Sequence, residues 1–268
     1  MTLPDLASLR QLVRAAAREH LLPRFSAVQR HVVKDDGSLV TDADHAVQAH
    51  LQAELTRRWP HYAVLGEEMP REEQVQLTAA ADGGLWCLDP LDGTSNYAAG
   101  VPFFSVSLAL VVGTRVVLGL VYDPVRDECF VARRGDGAWL NERPLTLADR
   151  SDHPLKRAIA VVDFKRLDPA LAARLAAYPP YGSQRNFGAS SLEWCWLADG
   201  RFHVYLHGGQ KLWDYAAGNL IAMESGALSC TLEADPVFLL ALETRSVVAA
   251  VRPNLFDAWR QNLGVRAV

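Results

Sequence analysis

The sequence has 268 residues, 50% hydrophobic and 22% charged, so a globular chain of this length can bury a full core without disulfides or metals. The net charge of −4 and the lack of a basic block argue against nucleic acid and anionic membrane surfaces as partners. Four scattered cysteines, no apolar leader and no run of about 18 apolar residues predict free thiols in a reducing, cytoplasmic protein.

Hydrophobic periodicity predicts helices and then strands in the first half of the chain. Apolar residues recur at helical spacing over 3–22, and a second helix should begin after Thr41, because Asp44 follows it as in a capping box. That helix should end near Trp59 and Pro60, since proline disfavours helix in the residue before it. The runs that indicate strands are "YAVLG", "GLWCLD", "FSVSLALVVG", "RVVLGLVYD" and "ECFVARR".

The second half alternates strands and helices. In chain order the pattern predicts strand "AIAVVDF", a helix near 168–177, helix "SSLEWCWLA", strand "FHVYL", helix "DYAAGNLIAMES", strands "LSCTL" and "SVVAAV", and helix "NLFDAWRQNL". We therefore expect a layered α/β protein with two halves, 1–145 and 146–268, that meet without a flexible linker.

Acidic residues follow several predicted strands. Glu67 comes after "VLG" with a second glutamate behind it, Asp89 and Asp92 follow "GLWCL", and Asp214 opens a helix after "KLW". Strand ends converge in layered α/β proteins, so these carboxylates should share a small volume. Two like charges 4 Å apart repel by roughly 4 kcal/mol at an effective dielectric near 20, which favours bound cations. Oxygen ligands without histidine or cysteine indicate Mg²⁺, with Mn²⁺ or Ca²⁺ as alternatives.

Gly93 and Thr94 follow the aspartates directly. Glycine lets the backbone approach a ligand closely, and N–H groups that open a helix favour phosphate. Alone, an Asp-Gly pair is usually a turn, and the other acidic motifs have equally ordinary explanations. Together and in this order they indicate metal-assisted phosphate chemistry.

The same segments resemble the inositol monophosphatase family of lithium-sensitive, magnesium-dependent phosphatases, to which fructose-1,6-bisphosphatases are related. The segments are "GEE" (66–68), "DPLDGTSNYAAGVPFFSVSLAL" (89–110), "GLVYDP" (119–124) and "WDYAAGNLIAMESGA" (213–227). The resemblance covers roughly residues 5–262 and implies a five-layered αβαβα sandwich.

The resemblance implies two or three Mg²⁺ ions, with Mn²⁺ as an alternative. Glu67, Asp89 and the Leu91 carbonyl would bind the first ion, and Asp89, Asp92 and Asp214 the second. Asp89 would bridge these two ions, and Glu67 would help to hold a third, weaker one. Most of these ligands fall in the N-terminal half, whereas Asp214 and the substrate wall fall in the C-terminal half.

The resemblance also implies catalytic roles. Thr94 and Glu67 would orient the attacking water, and Asp44 would hydrogen-bond Thr94. Lys34 lies in a loop that approaches the third metal in relatives, and an exposed loop lysine is an equally good interpretation. No covalent phosphoenzyme is needed.

The substrate side departs from the family pattern. Asp92, Gly93 and Thr94 would receive the phosphate, and the "GASS" segment places Gly188, Ala189 and Ser190 beside the polyol. Inositol-specific members carry a glutamate seven residues before the last metal ligand, whereas this chain has His207 in a predicted loop. With Lys211 nearby, this predicts that inositol 1-phosphate is not the best substrate.

The leading interpretation is a phosphomonoesterase that acts on a small polyol or sugar phosphate, such as inositol monophosphate. The alternatives are a histidinol-phosphate phosphatase, a fructose-1,6-bisphosphatase and a phosphatase of 3′-phosphoadenosine nucleotides. The family resemblance implies a homodimer. A catalytically silent scaffold or regulator is the non-enzyme alternative. An acid cluster beside a water-orienting threonine favours the enzyme, because a binding module has no need for such repulsion.

Overall fold

The computed structural model describes residues 3–25, 31–33, 39–80, 83–147 and 153–266. The helices are α1 (Leu6–His20), α2 (Leu22–Phe25), α3 (Asp42–Arg58), α4 (Arg71–Ala79), α5 (Thr94–Ala98), α6 (Pro169–Ala177), α7 (Ser190–Ala198), α8 (Leu212–Glu224) and α9 (Pro253–Leu263). The strands are β1 (His31–Val33), β2 (Leu39–Thr41), β3 (Ala63–Gly66), β4 (Leu85–Asp92), β5 (Ser105–Val112), β6 (Arg115–Asp123), β7 (Glu128–Arg133), β8 (Gly137–Leu140), β9 (Arg143–Leu145), β10 (Ile159–Asp163), β11 (Ser183–Arg185), β12 (Val204–Gln210), β13 (Leu228–Cys230) and β14 (Arg245–Ala250).

Capping residues mark the starts of the two long N-terminal helices, and the predicted start and end of α3 are confirmed. Asp5 caps α1, and α3 carries the predicted capping box, in which the Thr41 backbone N–H donates to Asp44 over 2.8 Å. α3 ends at Arg58, directly before the Trp-Pro pair. The single helix predicted for residues 3–22 is instead α1 and the short α2, which meet at Leu21, because Pro23 has no N–H to continue the hydrogen-bond ladder of α1.

Seven strands form the larger sheet, in the order β3-β4-β5-β6-β7-β8-β9. β3 and β4 are parallel, and the remaining pairs are antiparallel. The predicted hairpin of β5 and β6 turns through Gly113, which has a φ of 60°. Helix α4 was not predicted, because Gln74 is its only buried residue and the helix has no apolar stripe.

Five strands form the second sheet, in the order β11-β10-β12-β14-β13. Helices α7 and α8 lie between the two sheets, where Gly218 of α8 packs on the Trp194 side chain of α7. Helices α1 and α3 cover the outer face of the larger sheet, and α9, with α6 beside it, covers the smaller one. This arrangement is the expected five-layered αβαβα sandwich.

One extended hydrophobic core joins the two sheets through α7 and α8, and a second lies beneath α1 and α3. The division of the chain at residues 145 and 146 into two halves stays a prediction. All four cysteines are free and buried, as predicted. No helix in the described ranges is both long enough and apolar enough to span a membrane.

Candidate active site

A cleft of about 350 Å³ opens where β4, β10 and β12 end and where α5, α7 and α8 begin. Its lining combines acids, small residues and two basic side chains. The lining residues are Leu39, Glu67, Asp89, Leu91, Asp92, Gly93, Thr94, Ser95, Asp163, Arg166, Asn186, Gly188, Ser190, Glu193, His207, Gly209, Lys211, Asp214 and Thr244. Every residue predicted to bind metal lies in this lining.

A break in strand pairing presents two aspartates from β4 to the cleft. The register of β4 against β5 shifts between Asp89 and Asp92, so both carboxylates reach the same cavity. Asp89 is buried, and its Oδ1 accepts the Leu91 N–H at 3.0 Å. The Oδ2 of Asp92 accepts the N–H and the hydroxyl of Ser191, each at 2.6 Å. Ser191 thereby ties the second acid to α7.

Asp214 enters from the first turn of α8. Its Oδ2 accepts the Lys211 N–H at 2.9 Å, which forms the capping interaction of that helix. The Nζ of Lys211 lies 3.4 Å from Oε1 of Glu67, so a cation already faces one acid of the cluster. The neighbouring Glu68 instead donates its backbone N–H to the Gln48 side chain and is absent from the lining.

The three aspartates resist ionisation. Burial and the charges of Glu67, Asp92 and Asp214 raise the pKa of Asp89 well above its ordinary value. Burial raises the pKa of Asp92 to about 6, although its bonds to Ser191 oppose the change. Burial, followed by the charges of Asp92 and Glu67, raises the pKa of Asp214 to about 8. A bound cation would offset this repulsion and favour the ionised carboxylates, so the cluster favours cation binding.

The acids surround the cleft without closing into a tight cage. In the parts of the chain that the structure describes, no three of these carboxylates bring oxygen atoms within 4.8 Å of one another. The donor set is oxygen only. This spread fits hard cations such as Mg²⁺ held by shared ligands, rather than one ion in a closed cage.

Thr94 and Asp44 form a hydrogen-bonded pair at the start of α5. The Thr94 hydroxyl lies 3.2 Å from Oδ1 of Asp44 and 2.9 Å from the Leu91 carbonyl oxygen. Oδ2 of Asp44 accepts the hydroxyl and the N–H of Thr41, and burial raises the pKa of this acid. Gly93 directly precedes Thr94 and has a φ of 90°, a left-handed conformation that favours glycine.

The predicted substrate-side segment divides between the cleft and the core. Gly188 and Ser190 line the cleft, whereas Ala189 is fully buried and absent from the lining. A Cβ at Gly93 would lie 3.0 Å from the Cβ of Ala189, so Ala189 packs behind Gly93 rather than facing the cavity. Lys34 lies outside the described residues.

His207 lies at the cleft, but in β12 rather than in a loop, and only 2% of its surface is exposed. Its Nδ1 accepts the Gly209 N–H at 3.1 Å, so Nε2 carries the hydrogen and points to Oδ2 of Asp163 at 3.1 Å. Arg166 lies 3.4 Å from the same Nε2. Burial lowers the pKa of His207, which favours the neutral ring. Both ring nitrogens therefore have protein partners.

Three residues of the cleft lining were not predicted from the sequence: Asp163, Arg166 and Glu193. Asp163 ends β10 and pairs in parallel register with His207, so the strand-end argument used for the other acids applies to it. Burial alone would raise the pKa of Asp163, but the hydrogen bond from His207 and the Arg166 charge bring it below its ordinary value. Nothing in the sequence marks Glu193, whose carboxylate accepts the Phe187 and Gly188 N–H groups and the Tyr205 hydroxyl.

Comparison with known proteins gives consistent matches over nearly the whole chain. A family model described as "Inositol monophosphatase family" matches residues 4–263. Nus factor SuhB of Haemophilus influenzae is 35% identical over 84% of this chain and 84% of its own. Inositol monophosphatase 1 of Solanum lycopersicum is 31% identical over 87% of this chain and 86% of its own. A Thermotoga maritima IMPase structure, 23% identical, has a TM-score of 0.81 over 97% of this chain and 96% of that one, which shows the shared fold.

Proposed function

The chain belongs to the inositol monophosphatase family, and we propose from this that it is a Mg²⁺-dependent phosphomonoesterase acting on a small polyol or sugar phosphate. One observation carries the proposal: the cleft collects buried, mutually repelling carboxylates beside a threonine that an acid holds in place. Such a cluster lowers stability unless cations bind it, so its presence favours a metal-dependent enzyme.

Two or three Mg²⁺ ions, or Mn²⁺ in their place, would be held by Glu67, Asp89, the Leu91 carbonyl, Asp92 and Asp214. When bound, the ions would lower the pKa of water towards neutrality and stabilise negative charge on the entering and leaving oxygens. Glu67 contacts the Lys211 ammonium and faces the other acids, so it can serve more than one ion.

Thr94 would orient the attacking water. Its hydroxyl has one hydrogen, for which Asp44 and the Leu91 carbonyl compete at 3.2 and 2.9 Å. With the Leu91 oxygen used as a metal ligand, the Thr94 hydrogen would be donated to Asp44 and the lone pairs of Thr94 would be free for water. The hydroxyl then accepts a hydrogen bond from water, and Glu67 supplies a second acceptor.

Asp163, Arg166 and His207, which together form the wall of the cleft, would select the substrate. Because both nitrogens of His207 are occupied, this ring positions Asp163 rather than binding substrate hydroxyls itself. Asp163 offers a carboxylate for hydroxyl groups, and half-exposed Arg166 offers a cation for a second anionic group. This combination supports the prediction that inositol 1-phosphate is not the best substrate, and it favours a polyol that carries a further charge.

The test is a panel of phosphate esters with Mg²⁺: inositol 1-phosphate, histidinol phosphate, fructose 1,6-bisphosphate and adenosine 3′,5′-bisphosphate. We expect chelation to abolish phosphate release and Asp89→Asn to lower kcat at least ~10²-fold, a typical loss for one electrostatic group. Asp163→Asn should raise KM for hydroxyl-bearing substrates, whereas Asp168→Asn, which caps α6 and is absent from the cleft lining, should change nothing. Full turnover in chelator would refute the proposal.

A second candidate function is that of a Nus factor, because the 35% identical relative bears that name. The test is complementation of a Haemophilus influenzae strain that lacks that relative, with wild type and with Asp89→Asn. Rescue by both proteins would support a role that needs no catalysis. Rescue by neither would argue against a Nus-factor role and would leave the phosphatase proposal unchanged.

The resemblance to the family also supports a lithium-sensitive enzyme that forms a homodimer in the cytoplasm. Sedimentation of the purified protein tests the dimer, and a monomer at working concentration would contradict it. Fractionation of cells tests the location.

A further inference from the structure

A second group of metal-ligating side chains lies on the outer helical layer, where α1 ends beside α3. Nε2 of His20 and Nδ1 of His50 are 3.0 Å apart, and the two rings are tilted by 69°. The Glu19 carboxylate spans both, with one oxygen 3.8 Å from the His20 nitrogen and the other 3.9 Å from the His50 nitrogen. Among the described residues, this is the only group of three whose ligand atoms lie within 4.8 Å of one another.

These separations are close to those of a tetrahedral zinc site. With Zn–N and Zn–O bonds of about 2.0–2.1 Å, ligand atoms lie about 3.3 Å apart, which falls between the distances seen here. The nitrogens need to separate by a few tenths of an ångström, and the carboxylate of exposed Glu19 needs to move inwards by about half an ångström. Glu19 can make this adjustment because 64% of its side chain is exposed.

The protonation states also suit a metal. Burial lowers the pKa of His20, with the charges of His50 and Arg24 adding to the effect and that of Glu19 opposing it. Neutral imidazoles that face each other share one hydrogen, and the donor ring must move that hydrogen to its other nitrogen before both can bind a cation. Arg24, bonded to the His20 carbonyl, is a cation nearby that weakens the attraction for a metal.

We propose that Glu19, His20 and His50 form a second metal site, separate from the acid cleft, that takes Zn²⁺ or a similar transition-metal ion. Two imidazoles and one carboxylate favour such ions over Mg²⁺, which prefers oxygen ligands alone. Water would complete the tetrahedron. The ion would join the last turn of α1 to the middle of α3, the helix whose first turn contains Asp44, so its effect is structural.

The test measures thermal unfolding in Mg²⁺ with and without Zn²⁺, for wild type, His50→Ala, Glu19→Gln and the control His45→Ala, an exposed histidine of the same helix. Zn²⁺ at about 100 times its Kd should raise the Tm of wild type and the control by roughly 5 °C or more. The acid cleft can also bind Zn²⁺, but equally in all four proteins. His50→Ala should lower the affinity at least about 10-fold, since even outer-shell partners contribute 10- to 100-fold.

Cobalt provides a direct reading of the same site. Co²⁺ bound by two imidazoles and a carboxylate absorbs strongly in the visible range, and this band should appear in wild type and in His45→Ala but not in His50→Ala. Because Glu19 is exposed, Glu19→Gln should fold normally. This variant should show a smaller Zn²⁺-induced rise in Tm than the wild type. An equal Zn²⁺ shift in all four proteins, or a cobalt band that survives in His50→Ala, would overturn the proposal.

Discussion

Replacing Asp214 by asparagine should stabilise the metal-free protein while abolishing its activity. Asparagine has the same shape and keeps an oxygen for the Lys211 N–H that caps α8. It removes one charge from a buried cluster that already contains Asp89 and Asp92. The substitution therefore separates the electrostatic cost of the cluster from its packing.

The magnitude follows from the pKa of Asp214. Its rise from 3.8 to about 8 corresponds to about 6 kcal/mol at alkaline pH, because each pKa unit is worth about 1.4 kcal/mol. Neighbouring acids share this cost, so we expect at least about 2 kcal/mol of gain, or a Tm higher by about 4 °C or more. The folded state holds this proton more tightly than the unfolded state, so wild-type stability should fall as pH rises through about 8.

The assay is thermal unfolding in chelator and in millimolar Mg²⁺, near pH 5 and near pH 8. The advantage of Asp214→Asn should be larger near pH 8 and should shrink or reverse in Mg²⁺, which stabilises the wild type more. Asp168→Asn is the matched control, since this aspartate also serves a helix start, through its bonds to Ala170 and Leu171 N–H groups, but has no part in the cluster. If Asp214→Asn melts no higher than wild type in chelator, the reasoning fails.

Three further predictions concern the same cleft. LiCl should inhibit phosphate release more than NaCl at equal ionic strength, because Li⁺ in a Mg²⁺ position has half the charge; identical curves would count against this. Thr94→Val should lower kcat by about 10²-fold or more while Thr94→Ser keeps most activity, and equal losses would mean that the hydroxyl is not used. Gly93→Ala should lower the free energy of unfolding by about 1–3 kcal/mol, because its added Cβ would lie 3.0 Å from Ala189 in a strained conformation. Gly100→Ala, with a φ of 75° but open space around it, measures the backbone strain alone, and an equal loss there would remove the role of the contact.

The acid cluster was predictable because strand ends converge, and that rule needs only the order of strands and charges. Asp89, Asp92 and Asp214 meet at one cleft for this reason. The capping box at Thr41 was predictable because it depends on residues three apart. Local rules and a topological rule therefore predicted one side of the cleft, which we call the floor and which comprises residues 89–94 and Asp214.

The wall formed by Asp163, Arg166 and His207 was not predictable in the same way. His207 lies in a segment whose glycines indicate a loop, yet backbone pairing with β10 and β14 holds that segment as a strand. The partner of its ring, Asp163, is 44 positions earlier and adjacent only through parallel register, which the sequence does not specify. Ala189 sits behind Gly93 through a contact between the two halves of the chain, and no spacing rule encodes such contacts.

This difference between floor and wall bears on how the protein can change. The floor has little free space: Ser191 donates two hydrogen bonds to Asp92, and a Cβ at Gly93 would lie 3.0 Å from the Cβ of Ala189 and from the Phe103 carbonyl oxygen. The wall lies at the ends of β10 and β12, where half-exposed Arg166 should tolerate replacement. Directed evolution confined to positions 163, 166 and 207 should yield altered substrate preference with the hydrolytic step retained, whereas libraries at positions 92–94 should yield mostly inactive protein. We therefore expect new substrate preferences in this protein to arise from changes at the paired ends of β10 and β12.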